Sequence, residues 1–133
     1  MIHTLEVAPI EHRTLVLFAA ASGDHNPIHL DVRLARSAGY DDVFAHGMLS
    51  AAYVGRLLTS IVPQESLRSL EVRFIAVTPL HVALRLTARL ASVEVVEGER
   101  RASFDLEIVT SEGTTTVTGT AVVALTEPAA EAV

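Results

Sequence analysis

The segment from Gly47 to Val62 constrains the fold of this chain more than any other. It contains almost nothing but small and apolar residues, Arg56 is its one charged residue, and Pro63 follows it. A helix that is apolar on nearly every side is a buried helix. We therefore predict a central helix over 47–62, whose glycine, alanine and serine residues let neighbouring backbone come close.

The chain after Ser66 alternates between apolar and polar residues, with the two-residue period of a strand that has one wet face. The alternation is clear over 69–76, 82–90 and 101–108, and residues 114–125 are rich in threonine and valine. We predict an antiparallel meander of at least four strands. Helix and sheet each have an apolar face that only the other can cover, so the predicted class is α+β, with the sheet wrapped around the central helix.

Weaker patterns precede the central helix. Residues 2–7 suit a short first strand, Pro9 favours a helix from about Ile10 to Ala21, and residues 32–36 suit one or two helical turns. No linker or internal repeat divides the chain. We predict a single domain over residues 1–133, with 127–133 as a loose tail.

The composition excludes several kinds of chemistry. The chain has no cysteine, and its ten basic residues are all arginine, which removes thiolate nucleophiles, cysteine-rich metal sites, lysine Schiff bases and P-loop lysines. A net charge of −6 with 5% aromatic residues speaks against nucleic-acid binding. No signal-peptide pattern and no apolar run of about 20 residues occurs, so we expect a soluble, cytoplasmic protein with no membrane partner.

Reactive side chains are concentrated in one loop, residues 22–31, which reads SGDHNPIHLD. Asp24 and His29 are five residues apart with Pro27 between them, so they lie on one loop and can converge on one water molecule. A carboxylate and an imidazole around one water suit general acid–base catalysis, because the histidine pKa is near working pH. The alternative is a polar turn in which Asp24 caps a helix or satisfies loop amides.

A second candidate is Gly47, in the run AHGM at residues 45–48. Amides at a helix N-terminus are unpaired and carry the positive end of the helix dipole, so the Gly47 N–H can polarise a carbonyl or hold an enolate oxygen. The alternative is that glycine serves close packing alone.

The six histidines also raise the possibility of a metal site. Asp24, His29 and His46 are among the candidate ligands. No HExxH or other dedicated ligand spacing appears, and Pro27 prevents the loop from presenting its side chains along one helix face. We therefore predict no metal.

Residues 22–29 followed by Ala35, together with residues 45–49, resemble the motifs of the MaoC-like (R)-specific enoyl-CoA hydratases and 3-hydroxyacyl dehydratases of the hotdog fold. The resemblance covers almost the whole chain. It implies that Asp24 and His29 are the catalytic pair and that Gly47 supplies an oxyanion amide, with no metal or organic cofactor. The implied reaction is reversible syn hydration of a trans-2-enoyl thioester of CoA or acyl carrier protein, giving the (R)-3-hydroxyacyl thioester.

The resemblance also implies substrate contacts. A CoA phosphate would be met by an arginine, for which Arg73 is the first choice, before Arg56 and Arg85. Tyr53 and Leu57 would line an acyl tunnel, although core packing explains them equally well. The predicted substrate-binding residues are Asn26, His46, Tyr53 and Arg73.

Family members form dimers, with the two sheets joined edge to edge and CoA across the subunit interface. The resemblance therefore implies a homodimer, with a heterodimer as the alternative, and makes residues 30–44 an overhang that covers the acyl group. Competing functions are a non-catalytic subunit that binds acyl thioesters and a hotdog thioesterase. The complete motif with both Asp24 and His29 favours the hydratase over both.

Overall fold

The computed structural model describes residues 1–126, which form three α-helices, two short 3₁₀ turns and one five-stranded antiparallel sheet. The predicted tail, residues 127–133, lies outside the described residues. None of the helices in the described part of the chain is long and apolar enough to cross a membrane. The elements in chain order are β1 (Ile2–Val7), α1 (His12–Ser22), α2 (Val32–Ser37), α3 (Gly47–Thr59), β2 (Leu67–Phe74), β3 (Leu84–Val96), β4 (Glu99–Thr110) and β5 (Thr115–Ala124).

The strands lie in the order β1-β3-β4-β5-β2. Strands β3, β4 and β5 form the predicted meander, and the turn between β3 and β4 is a two-residue hairpin in which Glu97 and Gly98 both have positive φ. The prediction is wrong for β2, which pairs with β5 at the far edge. The reason is the long connection over 75–83, which lets the chain cross the sheet instead of turning back as a hairpin.

Helix α3 lies against β3 and β1 and fills the centre of the core. Leu57 and Leu58 are 1% and 0% exposed, and the inward-facing residues of the strands meet them. The opposite side of the helix is different, because Met48 is 61% exposed and Ala52 is also exposed. The central helix is confirmed, but one of its apolar sides borders a groove instead of the core.

Helix α1 ends at Gly23, which adopts the left-handed conformation at φ 81° and donates its N–H to the Ala19 carbonyl. This cap turns the chain sharply into the polar loop. Helix α2 begins after Asp31, whose carboxylate accepts the Arg33 N–H at 2.9 Å. The capping geometry thus gives Asp31 a structural role.

Strand β2 forms one edge of the sheet, and the segment from Leu70 to Val77 leaves large apolar side chains in solvent. An exposed, apolar strand edge can pair with another strand. The exposed fractions are 40% for Leu70, 48% for Phe74, 49% for Ile75 and 47% for Val77.

A surface cluster of Arg68, Glu99 and Arg101 makes stability depend on pH. Hydrogen bonds from Arg68 and Arg101, at 2.8 and 2.7 Å, lower the pKa of Glu99 to about 2 from an ordinary value of 4.5. A carboxyl whose pKa is lower in the folded state stabilises the fold above its unfolded pKa, and this contribution is lost as the pH falls towards the folded pKa.

We therefore expect the substitution Glu99→Gln to lower the free energy of unfolding at pH 7 in low salt, by a small amount because the cluster is partly exposed. Urea unfolding of both proteins at pH 7 and pH 3, with and without 1 M NaCl, measures this. The difference should shrink at pH 3 and in salt. A difference that is independent of both conditions would contradict the expectation.

Candidate active site

The loop after α1 is held in shape by its own polar side chains. The Ser22 hydroxyl accepts the Asp24 N–H, the Asp24 Oδ1 accepts the Asn26 N–H, and the Asn26 Oδ1 accepts the Ile28 N–H, each at 3.1 Å. Asn26 thereby caps the 3₁₀ turn that Pro27 begins. The polar-turn interpretation is correct for one carboxylate oxygen of Asp24, which accepts the Asn26 N–H. This hydrogen bond also orients the second carboxylate oxygen, which stays available for a catalytic role.

His29 ends the 3₁₀ turn with its side chain directed inward, only 8% exposed. Its Nδ1 lies 2.8 Å from the main-chain oxygen of Phe44, and because a carbonyl only accepts, Nδ1 must be the protonated nitrogen. In the neutral ring the lone pair is therefore on Nε2. The sequence did not predict this role of Phe44, since a backbone carbonyl leaves no mark on residue type.

Three side chains of the predicted site converge. A carboxylate oxygen of Asp24 and one ring nitrogen each of His29 and His46 all lie within 4.8 Å of one another. Asp24 is exposed, whereas both histidines are buried. A single water molecule can bridge the Asp24 carboxylate and His29 at this separation, which is the arrangement that a carboxylate–imidazole pair needs to activate water.

The same three groups have the donor types of a metal site. However, the rings of His29 and His46 are stacked, with centroids 4.0 Å apart and planes inclined by 26°. Metal-binding lone pairs lie in the ring plane, and two stacked rings do not aim theirs at one ion. The geometry favours a water site, and the lack of a metal stays a prediction.

His46 lies behind the loop and is 1% exposed. Its Nε2 is 3.1 Å from the main-chain oxygen of Asp24, and the ring of Phe18 meets it edge-on at 5.0 Å. Burial lowers the pKa of His46, against the raising effect of the Asp24 hydrogen bond, and the nearby His29 lowers it further. The lowered pKa favours the neutral form of the ring. Its contacts are with the loop, so the structure does not bring it to a substrate-facing position.

Gly47 begins α3 directly after His46. A first-turn amide has no acceptor within its own helix and carries the positive end of the dipole. The ring of Phe74 packs over the glycine, since a Cβ added there would lie 3.4 Å from that ring. Gly47 also borders a groove of about 300 Å³ between Phe44 and Phe74. Both the amide interpretation and the packing interpretation of this glycine fit the structure.

Asp24 opens onto a second, larger groove of about 550 Å³ between α1, α3 and β2. Apart from Ser22 and Asp24 its lining is apolar, which suits a hydrocarbon chain held beside a polar group. The lining residues are Phe18, Ser22, Asp24, Met48, Ala51, Ala52 and Leu70.

Two predicted substrate contacts lie elsewhere in this chain. Arg73 precedes Phe74 on β2, and successive strand side chains point to opposite faces, so Arg73 is on the outer face of the sheet while Phe74 covers Gly47. Tyr53 packs against the core from α3, and burial raises the pKa of its hydroxyl, opposed by Arg56. The structure does not bring Arg73 or Tyr53 to Asp24, and their roles stay predictions.

Comparison with known proteins shows the family of this chain. Residues 3–120 match the family model of the MaoC-like domain. The chain belongs to this family. It is 33% identical over 108 residues to the (R)-specific enoyl-CoA hydratase of Aeromonas caviae, covering 81% of each protein. It is also 32% identical over 84 residues to 3-hydroxyacyl-thioester dehydratase Z of Mycobacterium tuberculosis, covering 59% of this chain and 56% of the relative.

The solved structure of the (R)-hydratase from A. caviae involved in PHA biosynthesis resembles this MaoC-like chain with a TM-score of 0.83 and 26% sequence identity. The similarity covers 95% of both chains. The fold is therefore the hotdog fold, with α3 as its central helix. The predictions of family and fold class are confirmed.

Proposed function

We propose that this protein is an (R)-specific hydratase or dehydratase, which adds water reversibly to a trans-2-enoyl thioester of CoA or acyl carrier protein. The observation that carries the proposal is the meeting of the Asp24 carboxylate and the His29 ring within 4.8 Å, together with His46, the residue that precedes α3. The names of the curated relatives, a hydratase and a dehydratase, support it. One site serves both directions, because a catalyst lowers the barrier equally for addition and removal of water.

In the proposed reaction, one water is held between Asp24 and Nε2 of His29. His29 removes a proton from the water as its oxygen bonds to C3, and Asp24 orients the water by accepting its other hydrogen. The electron pair of the C2–C3 double bond moves towards the thioester carbonyl, where the Gly47 N–H stabilises the negative charge. Protonated His29 then returns this proton to C2 on the same face, so the overall step is addition of one water without a cofactor, and His29 ends in its starting state.

The acyl chain fits the apolar groove that begins at Asp24, between Phe18, Met48 and Leu70. Leu70 also belongs to the exposed edge formed by β2, so a second subunit joined at this edge would cover both the groove and the apolar edge. We include such a dimer in the proposal, formed by two copies of this chain or by this chain and a related subunit.

An assay with crotonyl-CoA and longer trans-2-enoyl-CoAs tests the function. We expect the absorbance of the conjugated thioester to fall when the purified protein is added, and chiral analysis to identify the (R)-3-hydroxyacyl product. A protein that binds the thioesters but consumes none of them would be a binding subunit. Release of free CoA from a saturated acyl-CoA would show a thioesterase, and either result would overturn the proposal.

A further inference from the structure

His46 touches or adjoins every group to which the proposed function gives a catalytic role. Its Nε2 meets the main chain of Asp24 at 3.1 Å, its ring lies on the ring of His29, and it immediately precedes Gly47. The side chain itself is 1% exposed. A buried residue with these contacts can fix the geometry of the site without touching the substrate.

The hydrogen bond fixes both the donor and the tautomer. The Asp24 main-chain oxygen only accepts, so Nε2 of the neutral His46 ring carries the proton and donates it. This bond ties the backbone that carries the Asp24 carboxylate to the residue that caps α3. Nδ1 is then an acceptor, buried without a partner among the residues that the structure describes. A buried ring with an unsatisfied nitrogen is costly for the fold, which argues for a role beyond filling space.

The stack fixes the ring of His29. Four rings follow one another: Phe18 meets His46 edge-on at 5.0 Å, His46 lies on His29 at 4.0 Å, and Phe44 meets His29 edge-on at 5.2 Å. Together with the bond from Nδ1 to the Phe44 carbonyl, this packing opposes rotation of the His29 ring. Nε2 therefore stays directed at the position of the attacking water.

We infer that His46 is a positioning residue, which holds the Asp24 main chain by a hydrogen bond and the His29 ring by stacking, without contacting the substrate. The inference rests on the proposed function and replaces the substrate-binding role that the sequence suggested for His46. A positioning residue lowers kcat when removed, whereas a substrate contact made equally in ground and transition states raises KM.

Two substitutions separate the two contacts. His46→Phe retains a flat, buried ring for the stack but loses the donor to Asp24, and His46→Gln retains a donor near the Nε2 position but loses the ring. We expect kcat of the phenylalanine variant to fall by about 10- to 100-fold, since small displacements of reacting groups have effects of that order. KM should change less than about twofold. The glutamine variant should recover part of the lost kcat because Asp24 is held again.

The wild-type protein separates failure of this inference from failure of the proposed function. If it consumes no enoyl thioester, the proposed function fails, and nitrogen-15 NMR of the histidine rings then tests the inference. The inference is supported if the wild-type His46 ring gives the signals of the Nε2–H tautomer and the His29 ring signals shift in both variants. If the wild type is active, an unchanged kcat in the phenylalanine variant, or a raised KM with unchanged kcat, overturns it. If the phenylalanine variant does not fold, kcat and KM of the glutamine variant test the inference instead.

Discussion

Replacing Asp24 by asparagine, or His29 by asparagine, is expected to lower kcat for enoyl thioester hydration by at least about 100-fold, as for loss of a positioned acid or base. Neither change should unfold the protein. The amide oxygen of Asn at position 24 can still accept the Asn26 N–H, which Asp24 accepts at 3.1 Å. An amide N–H at position 29 can still donate to the Phe44 carbonyl, the partner of His29 Nδ1 at 2.8 Å. The position 24 variant loses the second carboxylate oxygen, which accepts a hydrogen bond from the water, and the position 29 variant loses the ring nitrogen that takes its proton.

The matched control is His25→Ala, in the same loop. Its side chain is exposed, and no hydrogen bond, ion pair or ring contact of His25 occurs within residues 1–126. We expect this variant to keep wild-type rates. Initial rates with crotonyl-CoA and thermal unfolding by circular dichroism should be measured for all three variants. Full activity after the Asp24 or His29 substitution would remove that residue from the mechanism.

Replacing Gly119 by alanine is expected to destabilise the fold by about 3 kcal/mol or more, the upper range for overpacking. Gly119 lies on β5 between Val72 on β2 and Leu106 on β4. A Cβ at this position would collide with the backbone carbonyl oxygen of Glu71 and lie 3.2 Å from the Val72 Cα. These are backbone atoms of β2 paired to β5, and they cannot give way as a flexible side chain does, so β2 would have to separate from β5.

The control for this prediction is Gly55→Ala in α3. An added Cβ at Gly55 has nothing within 4 Å, and its backbone is helical. Alanine there should stabilise the protein by about 0.5–1 kcal/mol, the usual gain over glycine within a helix. Urea unfolding of both variants measures the contrast. Equal stability of the Gly119 variant and the wild type would show that the sheet edge can open without cost.

The sequence predicted the local elements well because their signals are local. The apolar run that starts at Gly47 became α3, which begins at that residue, and the alternating runs became strands. The position of β2 was predicted wrongly, as the first strand of the meander. Sequence alternation records which side chains face inward but not which strand lies beside which, and pairing of β2 with β5 depends on how the connection over 75–83 crosses the sheet.

The candidate site likewise has a part that local sequence predicts and a part that only the fold decides. Asp24 and His29 were predicted from the types and spacing of side chains in one loop, together with a family resemblance. The Phe44 carbonyl that holds His29 was not predictable, since every residue has a carbonyl and only the fold decides which one approaches. Arg73 was chosen for its charge and its place on the strand after the central helix, and the pleat of β2 directs it to the outer face of the sheet.

The sequence by itself therefore determined the central helix, the strands, the family and the loop that holds Asp24 and His29, because each depends on residue types at short spacing. The tertiary structure alone decided that His46 lies behind this pair. Its ring meets His29 across 17 positions of the chain and the Asp24 carbonyl across 22. Contacts at that separation exist only when α1, the loop and the start of α3 pack together, and no local pattern encodes that packing.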